Sequence, residues 1–334
     1  MSARSRPAQS SCPVNSADVT SIARNAADWH ARPERGSMLM LRVISWISLR
    51  LGRPAGRVIL HLIAAYFLLF ASTSRVASRL YLSRVLSRPV GWRDIYKHFF
   101  CFASTIHDRI YLLNQRFDLF DIQVHGKELV LDALGKQQGL LLFGGHIGSF
   151  EVIRAIGRAN LDLKVVMAMY EENARKLNQM LAAINPTAQQ DVVGLGRIDS
   201  MMKLNGLLDQ GSLVGILADR TLGDDTMVPV TMFGDPAHMP VSAFRMAAVL
   251  RRPVLFMVGL YTSGNRYEIH FEPIVDFTAT LRQNRQQEIT RGVAVYAALI
   301  EKHCRRAPYN WFNFFDFWNA AVPDSGQLET RSDP

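Results

Sequence analysis

Six short apolar runs recur between Asp121 and Val275: DIQVHG, GLLLFGG, LKVVMAMY, SLVGILADR, PVLFMVGLY and YEIHFEPIV. Helix-patterned stretches separate them, marked by Phe150 to Arg158, Ala174 to Ile184, Ser200 to Asp209, Val241 to Leu250 and Glu288 to His303. Buried strands that alternate with amphipathic helices pack as an α/β domain, so this pattern rules out an all-helical or all-β chain. Upstream, Val76 to Phe117 is helical throughout. Leu80, Leu82, Val85 and Leu86 recur at helical spacing, and so do Ile95, Phe99, Phe102, Ile106, Ile110 and Leu113.

The segment before these helices has a different chemistry. Val58 to Ala71 (VILHLIAAYFLLFA) is an apolar run of about 14 residues, shorter than the ~20 that a spanning helix needs. Arg42, Arg50, Arg53 and Arg57 precede it and Arg75, Arg79, Arg84 and Arg88 follow, with no acid between Met38 and Arg93. Arginines on both flanks suit a helix lying in an anionic membrane interface, as a monotopic or hairpin-like anchor. One long helix from Met38 to Phe70 would instead reach a full crossing, and a buried core helix is the plainest alternative. Residues 1–37 are polar and rich in Ser, Ala and Arg, with no apolar stretch near Met1, and read as a disordered extension; Pro7, Pro13 and Pro33 interrupt any transit-type helix. The expected organisation is therefore an extension over 1–37, a helical membrane-associated segment over 38–117, an α/β domain over 118–320 and a polar tail over 321–334.

The net charge of +9 favours anionic partners such as phospholipid headgroups, acidic carrier proteins or nucleic acid. Nucleic acid is disfavoured, because the arginines cluster around the apolar helix and no RNP or helix-turn-helix signature accompanies them. Cys12, Cys101 and Cys304 have neither disulfide nor metal spacing, which suits a reducing milieu. No GxGxxG, Walker loop, HExxH, paired CxxC or GxSxG elbow occurs. Dinucleotide, P-loop, zinc-protease and serine-hydrolase chemistries therefore lack their defining residues.

Gly139 to Glu151 (GLLLFGGHIGSFE) carries the strongest chemical signal, a buried strand running into a glycine-rich turn that holds His146. Five residues of continuous helix would set His146 and Glu151 about 140° apart and out of contact. With His146 on the turn and Glu151 in the first helical turn, the carboxylate can reach back to the imidazole. A carboxylate on one ring nitrogen fixes the tautomer and leaves the other nitrogen to take a proton, a base-and-orienter pair without a protein nucleophile. The alternative is a helix-capping turn with an incidental histidine.

His146, four intervening residues and Glu151 reproduce the His-X4-Asp/Glu mark of the lysophospholipid acyltransferase superfamily. Together with HDRIYLL (His107 to Leu113) and PYNWFNFFDFW (Pro308 to Trp318), they resemble the late acyltransferases of lipid A biosynthesis over about Trp46 to Trp318. This resemblance implies a glycerolphosphate-acyltransferase-like mixed sheet flanked by helices, on the cytoplasmic face of a bacterial inner membrane. It also implies an acyl carrier protein thioester, or acyl-CoA, as donor to a lipid or glycolipid acceptor, with no metal or redox cofactor. Asp219 and Arg220 match the family segment in which a strand ends in Asp followed by Gln or Arg, which makes them candidates to orient the acceptor or bind a phosphate. Arg245, after the Phe-Gly loop MFGDPAHMP, is a candidate headgroup contact, with a solvated helix charge as the plainer reading. One departure stands out. The family's arginine after the strand LKVVMAMY is missing and Arg175 is its candidate replacement, so an amino-acid lipid or a polyene-type lipid is an alternative acceptor, and a non-catalytic membrane scaffold an alternative role.

Overall fold

The computed structural model describes residues 35–136, 139–161, 165–170, 179, 181, 184, 192–195, 198–220 and 225–319. The compact unit of the chain starts at Ser37. Three helices lead: α1 (Arg35–Phe70), α2 (Ser72–Leu86) and α3 (Trp92–Leu113). The α/β part follows in chain order as β1 (Asp121–His125), α4 (Lys127–Gly135), β2 (Leu140–Gly144), α5 (Phe150–Leu161), β3 (Val165–Tyr170), β4 (Val192–Leu195), α6 (Ile198–Asp209) and β5 (Leu213–Leu217). A hairpin of β6 (Met227–Met232) and β7 (Asp235–Pro240) comes next, then α7 (Ser242–Leu250), β8 (Pro253–Ser263), β9 (Arg266–Asp276) and α8 (Arg285–Arg306).

Seven strands form one sheet in the order β1-β9-β8-β2-β5-β3-β4. β8, β2, β5, β3 and β4 are parallel; the β8–β9 hairpin reverses direction, and β1 pairs parallel to β9. β2 is buried along its whole length because both faces of the sheet are covered. Alternate side chains go to opposite layers: Leu140 and Leu142 join Val152, Tyr267 and Ile269 on the side of α4 and α5, while Leu141 and Phe143 join Phe244, Phe256 and Tyr296 on the side of α7 and α8.

All six apolar runs are strands. The helix expected over Ala174 to Ile184 falls largely outside the described residues. The hairpin β6–β7 corrects the expectation of a plain loop before α7; Pro229, Pro236 and Pro240 had hidden a strand pair that stands apart from the main sheet, where proline is tolerated.

The apolar leader is helical over Arg35–Phe70 but kinked: two helical segments meet at Gly52 (φ 83, ψ 169), two residues before Pro54. Its Val43–Phe70 part is long and apolar enough to cross a membrane, and few of its residues are buried. Trp46, Leu51, Val58, Leu62, Leu69 and Phe70 are exposed, whereas Leu60 and Ala64 face the body of the protein. Several arginines of the basic flanks are structural ties. Arg53 makes two 2.8 Å bonds to the buried Asp108 of HDRIYLL, which also accepts from Tyr267 at 2.9 Å. Arg57 donates to Tyr261 at 2.8 Å, Arg84 to Asp235 at 2.6 Å and Arg88 to Asp94 at 2.7 Å. The basic residues around the apolar helix thus serve internal pairing as much as surface charge.

Candidate active site

Parallel pairing of β2 with β5 aligns Gly144 with Leu217, so the residues two beyond each strand end emerge side by side. These residues are His146 and Asp219. The imidazole Nδ1 lies 2.7 Å from Asp219 Oδ1, and the backbone N–H of His146 donates to Oδ2 at 2.9 Å. Asp219 is buried, and Oδ2 also accepts from Trp311 Nε1 and Asn313 Nδ2, each at 3.2 Å. Burial alone would raise its pKa; the imidazole, Arg220 and the His146 amide outweigh burial and hold it well below the usual carboxylate range. An ionised carboxylate only accepts, so Nδ1 carries the proton and Nε2 presents its lone pair. The His146 side chain is 31 % exposed, which leaves that nitrogen within reach of a substrate.

The turn is clamped on both sides. Gly148 N–H donates to Asn310 O and Ser149 N–H to Gly259 O, each at 2.8 Å, and Phe312 N–H donates to His146 O at 2.7 Å. Gly148 has φ +62, and a Cβ there would stand 2.0 Å from Gly259 O, so backbone angle and space both demand glycine. The amides of Gly148 and Ser149 are consequently engaged and do not supply donors to an oxyanion.

The carboxylate beside the imidazole is not the one expected to reach it. Glu151 is buried in the first turn of α5, and its carboxylate accepts from Arg154 at 3.3 and 3.5 Å, not from His146. Asp219, read as an acceptor-orienting residue, is the carboxylate on the imidazole. Sheet register explains the exchange: adjacent strand ends deliver Asp219 to His146, whereas one further turn of helix sets Glu151 beside its i,i+3 neighbour. Arg220 has surface open to solvent, but its guanidinium is largely withdrawn from water, which lowers its pKa: Nε donates to Asn313 Oδ1 at 2.6 Å, its terminal nitrogen to Phe312 O at 2.9 Å, and its guanidinium lies over the Phe315 ring. Trp311, Asn313 and Arg154 escaped sequence reasoning as site residues. Two residues of PYNWFNFFDFW, Trp311 and Asn313, hold the Asp219 carboxylate.

The chain matches the family model described as bacterial lipid A biosynthesis acyltransferase over residues 28–319. It belongs to that family. No curated protein matches it. Membership makes the chain an acyltransferase acting with an acyl donor on a lipid-type acceptor.

Within this acyltransferase neither remaining candidate is among the partners of His146. Arg245 is exposed on α7 and donates to Thr226 Oγ1 at 2.9 Å. Arg175 lies outside the described residues. One buried histidine ties the leading helices to the site: His98 on α3 bonds Ser78 Oγ through Nδ1 and the Trp311 carbonyl through Nε2, both at 2.8 Å. Nε2–H is therefore the donor and Nδ1 the acceptor. Burial lowers the His98 pKa to about 4, against the raising influence of the Trp311 carbonyl. Because the folded value lies below the unfolded ~6.5, the unfolded chain binds the proton more readily, and stability is complete above pH ~6.5 and lost as pH falls towards 4. The expected loss from this group over that window is about 3 kcal/mol. Thermal unfolding from pH 7 to 4 should show this slope, and a folded His98→Gln variant should flatten it.

Proposed function

We propose that the protein moves a fatty acyl group from a thioester to a hydroxyl of a lipid A-type glycolipid, with His146 as general base and Asp219 as its orienter. The 2.7 Å contact from Nδ1 to Asp219 carries this reading, because it commits the imidazole to the tautomer whose Nε2 accepts a proton. In the reaction Nε2 takes the acceptor's hydroxyl proton as the oxygen attacks the thioester carbonyl. Collapse of the tetrahedral intermediate breaks the C–S bond, and the imidazolium returns the proton to the departing thiolate. Asp219 stabilises the imidazolium throughout. Arg220, exposed next to Asp219, would meet a phosphate or the developing oxyanion. Glu151 then supports the turn through Arg154.

The fold would be glycerolphosphate-acyltransferase-like, with residues 38–117 on the membrane and 118–320 as the catalytic domain. The enzyme would work at the cytoplasmic face of a bacterial inner membrane; for attachment to a membrane, the exposed apolar side of α1 is stronger support than the arginines, since several of those are internally paired. Acyl carrier protein is the proposed donor, with acyl-CoA as the competitor. Purified protein incubated with each thioester, with and without a lipid A precursor in mixed micelles, should give acceptor-dependent transfer. Acceptor-independent hydrolysis would point to a thioesterase, and no turnover with any acceptor to a scaffold; either would overturn the proposal.

A further inference from the structure

Outside the hydrogen bonds of the acyl-transfer turn, three metal-type side chains converge where β1 pairs with β9. His125 on β1 and His270 on β9 are register partners in a parallel pair, and Glu268 precedes His270 by two residues, so all three share one face. The His125 and His270 rings are stacked 4.6 Å apart, 13° from parallel, and His270 Nε2 is 3.4 Å from Glu268 Oε2. One ligand-type atom from each residue lies within 4.8 Å of the other two. We propose that His125, Glu268 and His270 form a binding site for a divalent transition-metal ion of the zinc type.

Two imidazole nitrogens and one carboxylate oxygen are a donor set that zinc accepts, with solvent completing the coordination. Bonds of ~2.0–2.2 Å in a tetrahedral site bring ligand atoms to roughly 3.3 Å from one another, so closure needs side-chain rotation of about 1 Å. His125 is exposed at the end of its strand and has the room to rotate. The competitor is Arg306, whose guanidinium donates to Glu268 Oε2 at 2.9 and 2.6 Å. Its side chain is 53 % exposed, so it can turn into water when an ion takes its place. The neighbouring His303 stays out of the ligand set, because its Nε2 is bound to Glu272 at 2.6 Å. A bound ion would cross-link β1, an edge strand of five residues, to β9.

The test is calorimetric titration of the full-length protein with zinc alone, together with thermal unfolding with and without zinc. A saturable site should appear, zinc should raise the unfolding midpoint, and the exposed substitution His125→Ala should weaken binding by at least about tenfold. Arg306→Gln should tighten it by removing the competitor. Absence of saturable binding, or an affinity that His125→Ala leaves unchanged, overturns the site.

Discussion

Replacing His146 by Ala is expected to lower acyl transfer by about 10²–10⁴-fold, the loss typical of a removed general base. The effect should fall on the chemical step, because the imidazole takes the acceptor's proton in the transition state and has no part in holding the acyl chain. The protein should stay folded. The backbone bonds of residue 146, N–H to Asp219 and C=O from Phe312, do not depend on its side chain, and Asp219 keeps its donors from Trp311 and Asn313. Single-turnover transfer with enzyme in excess, on protein shown folded by circular dichroism, is the measurement. A folded His146→Ala protein that transfers at the wild-type rate would remove His146 from the mechanism.

The strands and the histidine were legible because each is written locally: an apolar run followed by Gly144, Gly145, His146, Ile147 and Gly148 declares a strand, a turn and a helix start in consecutive residues. The carboxylate that meets His146 was not legible, because it depends on which strand lies beside β2. Asp219 is 73 residues away, and only the alignment of Gly144 with Leu217 makes it a neighbour. Trp311 and Asn313 are farther still, and their polar atoms matter only because the chain after α8 folds back across the strand ends. The arginines near the apolar helix were legible as charge but not as partners. Arg53 reads as a membrane contact until Asp108 and Tyr267 are placed beside it. A short-range pattern thus yields the histidine and its turn, whereas sheet order decides which carboxylate stands against its ring.

Asp219→Asn and Glu151→Gln separate the two carboxylates. In the wild type, Asp219 Oδ2 accepts from three donors: His146 N–H, Trp311 Nε1 and Asn313 Nδ2. An asparagine amide must keep its oxygen on that side, so its NH₂ group faces the imidazole. Nδ1 then becomes the acceptor, the proton moves to Nε2, and the nitrogen facing the substrate is no longer a base. The imidazolium also loses its counter-charge, so kcat should fall by about 10³–10⁴-fold, and adding His146→Ala should cost little more. Glu151→Gln leaves that tautomer intact. Its cost should appear in stability, about 1–3 kcal/mol, because it weakens one of the charged contacts of the buried Arg154. Transfer per folded molecule should stay within about tenfold of wild type, well short of the loss of a general base. Equal losses of kcat in the two variants, at unchanged stability of Glu151→Gln, would return a catalytic part to Glu151. A folded Asp219→Asn enzyme with near-wild-type kcat would show that the base works without its carboxylate.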